Sequence, residues 1–317
     1  MSKDQTNSNE WPKIPFSAWQ TTDADRHLYL QIVGKYRLAR SPWVNHAWHA
    51  TFYSTPRGLT TSLVPDGEGG IEVRFDFLDH KVVGRFGNGK TEIFPLAPMS
   101  VADFYGQFTG MITALGGNAA IHGSPIELPD PVPFAEDTVS RPSDADAVTR
   151  VRRALVTVSR VLQEFRTGFR GKVSPVHLFW GSFDLAVTRF SGRRAPLHPG
   201  GIPNLPDDVT QEAYSHEVSS AGFWAGGGPI DDAAFYSYAY PAPEGFSEAP
   251  VSPEAAYFDS DFAEFILPYD AVRTSADPEA TLMAFLEATY AAAATLGDWD
   301  RSQECPRGET GKPLPID

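Results

Sequence analysis

The chain is short of cysteine, of positive charge and of long apolar runs, and each shortage excludes something. The single cysteine, Cys305, stands in a polar C-terminal stretch. It rules out an intrachain disulfide and a thiolate metal cluster, and a reducing cytosol is the compartment it fits. Lys and Arg number 26 against 40 Asp and Glu, a formal net charge of -14. That field repels phosphate backbones and anionic lipid, so neither nucleic acid nor a membrane is an expected partner. No run approaches the ~20 apolar residues of a membrane span. The opening MSKDQTNSNE has no charged-then-apolar signal pattern, so a soluble, cytoplasmic protein is expected. GxSxG and HExxH are missing. GEGG at 67–70 and AGGGP at 225–229 lead into no helix with Lys-Ser/Thr, so they read as turns rather than phosphate cradles.

What is present is material for a large core: 42% hydrophobic and 12% aromatic in 317 residues, enough for one big domain or two smaller ones. Residues 1–10 are polar and expected to be loose, and Trp11, Ile14, Phe16 and Trp19 then anchor an arm. A capping pattern at Thr22 and Asp25 opens a helix in which Leu28, Ile32 and Tyr36 recur until Ser41-Pro42. His27, Gln31 and Lys35 lie four apart on its other side, a solvated face or one wall of a site, and the solvated reading is preferred. Strands follow: AWHATFYST, LTTSLV and IEVRFDFL, with Gly87-Asn88-Gly89 turning a hairpin between Lys81–Phe86 and Lys90–Leu96. Ser100 caps a second helix, Gly116-Gly117 ends it, and AAIHG is a short strand candidate.

Residues 124–143, rich in proline and acid, form a connector, which puts a boundary near 140 between an N-terminal half (11–140) and a C-terminal half (141–299). Ser143 and Asp146 start the longest helix, apolar from Val148 to Phe169. AYSHEVSSAGFW, FYSYAY and FAEFILP read as strands, and Asp277-Pro278 opens a last helix. Residues 300–317 are expected to be loose. Each half thus reads helix, meander, helix. The class is α+β, with adjoining antiparallel sheets and helices packed on one side. ARSPWVNHAW beside KVSPVHLFW, and FYGQFTGMITALGG beside FLEATYAAAATLGD, mark a candidate internal duplication.

The organising stretch is Pro175–Arg194, read as one strand. A period of two puts Trp180, Ser182, Asp184, Ala186 and Thr188 on one face, and His177, Phe179, Phe183, Leu185, Val187 and Arg189 on the other. Both faces are mostly apolar, so Asp184 is buried and needs donors. Arg189 or Arg193 is the expected cation, with His216 second; acceptance of hydroxyl hydrogen bonds is the plainer structural role. Arg189 has the wrong parity unless a bulge intervenes. Asp184 and His216 are the candidate catalytic pair, orienter and general base. Ser182, Asp184 and His216 have the residue types of a triad, but a two-residue separation leaves no room for histidine between them. His177, Trp180, Ser182, Arg189, Arg193, Glu217 and Tyr238 are candidate ligand-binding residues, polar groups set among aromatic strands. None of the eight histidines has a diagnostic metal spacing; His46 and His49 would share an ion only if a turn intervened, and no metal or cofactor is assigned.

The segments NHAWH, FDFLDH, SPVHLFWGSFDLAVTRFSGR and YSHEVSSAGFW resemble a bacterial family catalogued as a domain of unknown function, along about Trp11 to Trp299. That resemblance implies no activity, cofactor or site residue. The residues themselves favour a small-molecule enzyme or binder with its pocket in the C-terminal half. A non-catalytic protein-interaction module is the alternative, and it expects an exposed apolar patch on helices.

Overall fold

The structure, a computed structural model, describes residues 10–128, 130–227 and 230–308, and of Asp25 the backbone only. Most of the expected loose termini, and Gly228-Pro229 of the AGGGP turn, lie outside the described residues. Eleven antiparallel strands form one sheet: β1 (Thr51–Thr55), β2 (Gly58–Val64), β3 (Ile71–Asp76), β4 (Lys81–Phe86), β5 (Thr91–Pro95), β6 (His177–Phe179), β7 (Asp184–Arg194), β8 (His216–Trp224), β9 (Ala234–Tyr240), β10 (Tyr257–Asp259) and β11 (Glu264–Pro268). Their order is β10-β11-β9-β8-β7-β6-β1-β2-β3-β4-β5. Each meander therefore meets the other through its first strand, where Thr51 faces Phe179 and Phe52 faces Leu178.

Four long helices cover one face: α1 (Gln20–Arg40), α2 (Val101–Leu115), α3 (Ala145–Arg166) and α6 (Pro278–Leu296). The expected caps are there. Ser100 forms a reciprocal box with Asp103, Gly116 closes α2 in the left-handed region, and the Asp277 side chain accepts from Ala280 N ahead of Pro278. The core between these layers includes Phe52, Phe75, Phe104, Leu185, Phe223 and Phe285, all buried. The N-terminal arm docks as expected, with Trp11, Ile14 and Trp19 buried and Tyr269 Oη donating to Pro12 O at 3.0 Å.

Several local expectations fail for identifiable reasons. Thr22 sits inside α1 instead of capping it, and its hydroxyl accepts from Asp144 N at 2.9 Å, tying α1 to the start of α3. The first strand starts at Thr51, not Trp48, because Asn45–Ala50 is a 3-10 turn with His46 and Ala47 at positive φ. AAIHG pairs with nothing as a strand. Residues 300–308 are docked: Glu304 bridges Phe169, and Cys305 N donates to Gly168 O at 3.1 Å. Two short helices, α4 (Asp207–Ala213) and α5 (Tyr269–Arg273), were not anticipated.

The main correction concerns the organising stretch, which is a hairpin and not one strand. Residues 180–183 turn between β6 and β7, with Phe183 at φ 56°. The same four-residue design recurs at residues 77–80, ending in His80 (φ 48°), and at residues 260–263, ending in Ala263 (φ 57°). In those two, Asp76 and Asp259 at the head of the turn accept from the backbone N–H groups inside it, a local signal the 180–183 turn lacks. The hairpin pairs His177 with Ala186 and Phe179 with Asp184, so those four share a face, opposite Leu178, Leu185 and Val187.

Gly34 in α1 gives the turn its seat. A Cβ there would lie 2.4 Å from the Trp180 indole, so only glycine lets that ring rest on the helix. Gly34→Ala is therefore expected to destabilise by about 1–3 kcal/mol, overpacking outweighing the roughly 0.5–1 kcal/mol that alanine adds in a helix. Gly106→Ala and Gly110→Ala on the exposed side of α2, where a Cβ meets nothing, should each stabilise by that ~0.5–1 kcal/mol. Urea unfolding checks the pair of signs; a stabilised Gly34→Ala would mean Trp180 does not depend on that contact.

Candidate functional site

The face of β6–β9 turned away from the four long helices is the floor of a cavity of about 570 Å³. Phe179, Asp184, Ala186, Thr188, Ser220 and Tyr238 face it from the strands. Residues 202–214, through α4, form the roof, and Trp43 with the 3-10 turn forms a side wall. The end wall combines Lys35 and Leu38 of α1, Glu127 of the connector and the Trp180–Ser182 turn. Most of this lining is apolar, and the polar groups converge at the Asp184 end.

Asp184 is 5% exposed and its partners are hydroxyls: Ser182 Oγ donates to Oδ1 and Tyr236 Oη to Oδ2. Burial pushes its pKa up, and those two hydrogen bonds offset only part of the desolvation. Tyr236 reaches Asp184 by lying across Gly222 of the intervening strand. A Cβ at Gly222 would stand 2.3 Å from Tyr236 Oη, so the glycine is what leaves the passage open. Further along the floor the hydroxyls continue, Thr188 Oγ1 to Ser220 Oγ at 2.9 Å and Tyr238 Oη to Tyr214 Oη at 2.8 Å.

Glu127 is held with unusual care. Its φ is 58°, costly for a non-glycine residue, and both neighbours of its backbone are fixed. The Gln31 amide donates to Ile126 O at 3.0 Å and accepts from Ile126 N at 2.9 Å, and Glu127 N donates to Pro203 O at 3.1 Å. Its carboxylate covers Gly181, where a Cβ would fall 1.7 Å from Oε1. Burial lifts the Glu127 pKa to about 7, with the charge of Asp184 adding and that of Lys35 opposing. Lys35 Nζ stands 5.6 Å from the Trp180 ring centroid, and burial lowers its pKa to about 8 against the pull of Glu127. On the same sheet face, two residues from Ile266 opposite Tyr236, burial raises Glu264 to about 8, aided by Asp184 and Asp259. Groups poised near neutrality in a partly dry cavity are suited to proton transfer.

Backbone strain gathers here too. Of the nine described non-glycine residues at positive φ, His46, Ala47, Glu127 and Asn204 line the cavity and Phe183 ends the turn beside it. At the far end, the His46 ring is fixed between Ala213 O (Nδ1, 2.9 Å) and the Lys172 ammonium (Nε2), an arrangement that requires neutral imidazole.

Of the residues the sequence singled out, Asp184, Trp180, Ser182 and Tyr238 meet in the cavity. The others do not join them. His216 faces Arg194 on β7 while Asp184 faces Trp224, so eight residues of β8 separate them, roughly 25 Å at about 3.3 Å each. The Asp184–His216 pair and the Ser182-based triad are thus not assembled. Arg189 stays on the helix face because the bulge lies beyond it, between Phe190 and Arg194. Its guanidinium sits 3.6 Å from the Phe165 centroid and 4.3 Å from that of Tyr290 and donates to Phe165 O. Arg193 and Glu217 pair with each other at 2.8 Å, and Arg193 also caps the end of α6 through Gly297 O and Asp298 O. His177 is fully buried among Trp48, Tyr53 and Phe179, and burial lowers its pKa to about 3.

Sequence reasoning missed Glu127 as a site residue and placed the wall reading of Lys35 second. Lys35 belonged to a stripe read as solvated, yet Gln31 and Lys35 are buried. Glu127 lay in a connector with no periodicity, and nothing local marks it. Among the described residues no group of three or more His, Cys, Asp or Glu is arranged to hold a metal, and no helix is long and apolar enough to cross a membrane. The model of a family of unknown function (DUF5996) matches residues 11–305. Comparison with curated proteins and with solved structures finds no match.

The hydroxyl shell around Asp184 sets an expected outcome. Loss of one partner of a buried ion pair costs about 3–5 kcal/mol. Asp184→Asn breaks no such pair and should cost less than ~1 kcal/mol at neutral pH. Because the folded pKa is raised, the protonated carboxyl contributes stability that is full below the unfolded value and lost as pH rises through the folded one. The variant has no such proton and should gain on the parent as pH rises. Glu264→Gln should behave alike between ordinary carboxylate pKa values and about 8. Urea unfolding at several pH values measures this; a loss of several kcal/mol for Asp184→Asn throughout would return Asp184 to an ion pair.

Proposed function

The chain belongs to this family of unknown function (DUF5996), and from the site itself we propose that the protein binds a small molecule in the β6–β9 cavity and has the groups for acid–base chemistry upon it. The observation that carries this reading is the coincidence, in one cavity of about 570 Å³, of strained backbone with carboxyl and ammonium groups shifted toward neutrality. Stability alone would favour apolar side chains at Asp184, Thr188, Ser220 and Tyr236 on strands buried on both faces.

The roles follow from position. Glu127 and Lys35 face each other across the Trp180 turn and exchange protons with a bound molecule in the neutral range. Asp184 orients the ligand and, when protonated, donates to it; Ser182 and Tyr236 fix its rotamer. Trp43, Trp48, Phe179 and Phe190 hold the apolar body. Cytoplasmic action is part of the same proposal and rests on the acidic, cysteine-poor composition. The interaction-module reading expects a flat apolar patch. The exposed Leu38 and Trp43 belong instead to the cavity lining, so they are better explained as its mouth.

Ala186 lines the floor on the row of Gly222 and Tyr236, so Ala186→Phe puts a ring into the cavity and takes up its space. Aromatic fragments are expected to raise the melting temperature of the parent by several degrees, as saturating ligand must, and to leave the filled variant unmoved. Equal shifts in both proteins, or none in the parent across a broad fragment set, would overturn the cavity as a binding site.

A further inference from the structure

The polar end of the cavity also specifies the charge of its occupant. Given that the cavity is a ligand site, on which this assignment rests, we propose that the ligand is an organic cation, a ring-bearing apolar body whose ammonium group seats between Asp184 and Glu127.

Three observations converge on that class. Two carboxyl groups line one end, and Glu264 stands on the same sheet face, close enough for the charge of Asp184 to act on it. Lys35 is the single lysine or arginine among the described lining residues, so the carboxyls outnumber the fixed cations. Asp184 in particular faces only hydroxyls, because Arg189 and Arg193, the arginines nearest it in sequence, are committed elsewhere. An anionic ligand would meet this end unfavourably, whereas a cation supplies the missing charge.

The second observation is aromatic. Trp180 and Phe179 flank Asp184, Tyr236 bonds it, and ring faces attract cations as a carboxylate does, with less desolvation. The Trp180 face already has the Lys35 side-chain nitrogen 5.6 Å from its centroid. Third, Thr210 Oγ1, on a residue bordering the cavity and 2% exposed, has no hydrogen-bond partner among the described residues. An ammonium N–H gives that hydroxyl a donor to accept from. Burial raises the pKa of both carboxyls, Glu127 to about 7, and an ammonium group seated between them favours their charged form.

Three probes of similar length test this: 2-phenylethylammonium, its uncharged carbon analogue propylbenzene, and 3-phenylpropanoate. Binding to the full chain is measured by calorimetry or by thermal shift, in the parent, Asp184→Asn, Glu127→Gln and the double variant. The expected result is that the cation binds the parent at least tenfold tighter than the uncharged analogue, that the anion binds weakest, and that the preference falls in each single variant and is lost in the double one. If the uncharged analogue or the anion binds the parent as well as the cation does, the cation assignment is wrong while the cavity reading stands. If all three probes bind and the double variant keeps the preference, the carboxyls are not its source and the assignment is again wrong. If none binds although other fragments distinguish the parent from Ala186→Phe, the class is overturned alone; if fragments fail as well, the cavity reading falls with it. The double variant's melting curve shows whether it is folded, and the single variants carry the test if it is not.

Discussion

The contact on which the rest depends is the seating of the 180–183 turn on α1. Trp180 lies on Gly34, Phe183 stacks on His27 at 5.4 Å, and His27 Nε2 bonds Gly181 O at 2.7 Å. A turn of the second meander is thereby keyed to a helix of the first, at a junction where the sheet itself contributes a short pairing between β1 and β6. This contact builds the site. It brings Lys35 onto the Trp180 ring, sets Asp184 at the start of β7 where Tyr236 can reach it, and leaves above Gly181 a space that Glu127 fills.

The second meander serves two masters on its two faces. Leu185, Val187, Ala221, Phe223 and Phe235 pack on the helices and form ordinary core. The opposite face sets hydroxyls and a carboxyl side by side, each needing a partner to offset the loss of water. Neighbouring strands provide those partners in register: Thr188 opposite Ser220, and Ser220 opposite Tyr238. The row where Gly222 lies between Ala186 and Tyr236 is the place where a side chain is omitted so that a ring can cross. Polar groups so arranged destabilise the fold relative to an apolar face and make a specific surface in return. The roof is tied to the same framework, since Asn204 Nδ2 donates to Leu128 O at 2.6 Å and the Asp207 carboxylate accepts from Gly201 N at 2.9 Å. The roof segment is thus fastened on both sides of Pro203.

The sequence by itself determined what local chemistry can encode. Ser100 and Asp277 announce their helices because their side chains satisfy backbone N–H groups a few residues away. Asn88 and Gly89 announce a hairpin because they tolerate positive φ, and the buried arm is legible from Trp11, Ile14 and Trp19 because nothing else in that stretch pays for order. The α+β class came from the succession of these signals. Only the tertiary structure decided the site. A left-handed phenylalanine, Phe183, turns the chain where no glycine or asparagine signals it, since packing against His27 compensates its backbone strain. Whether the His27–Gln31–Lys35 stripe meets water or protein depends on a turn some 150 residues away. Glu127 becomes a site residue through contacts with Gln31, Gly181 and Pro203, none of them near it in the chain. The state of Asp184 was open for the same reason: desolvation is a property of the assembled fold, and the choice between arginine and hydroxyl partners turned on which face of β7 each side chain reached.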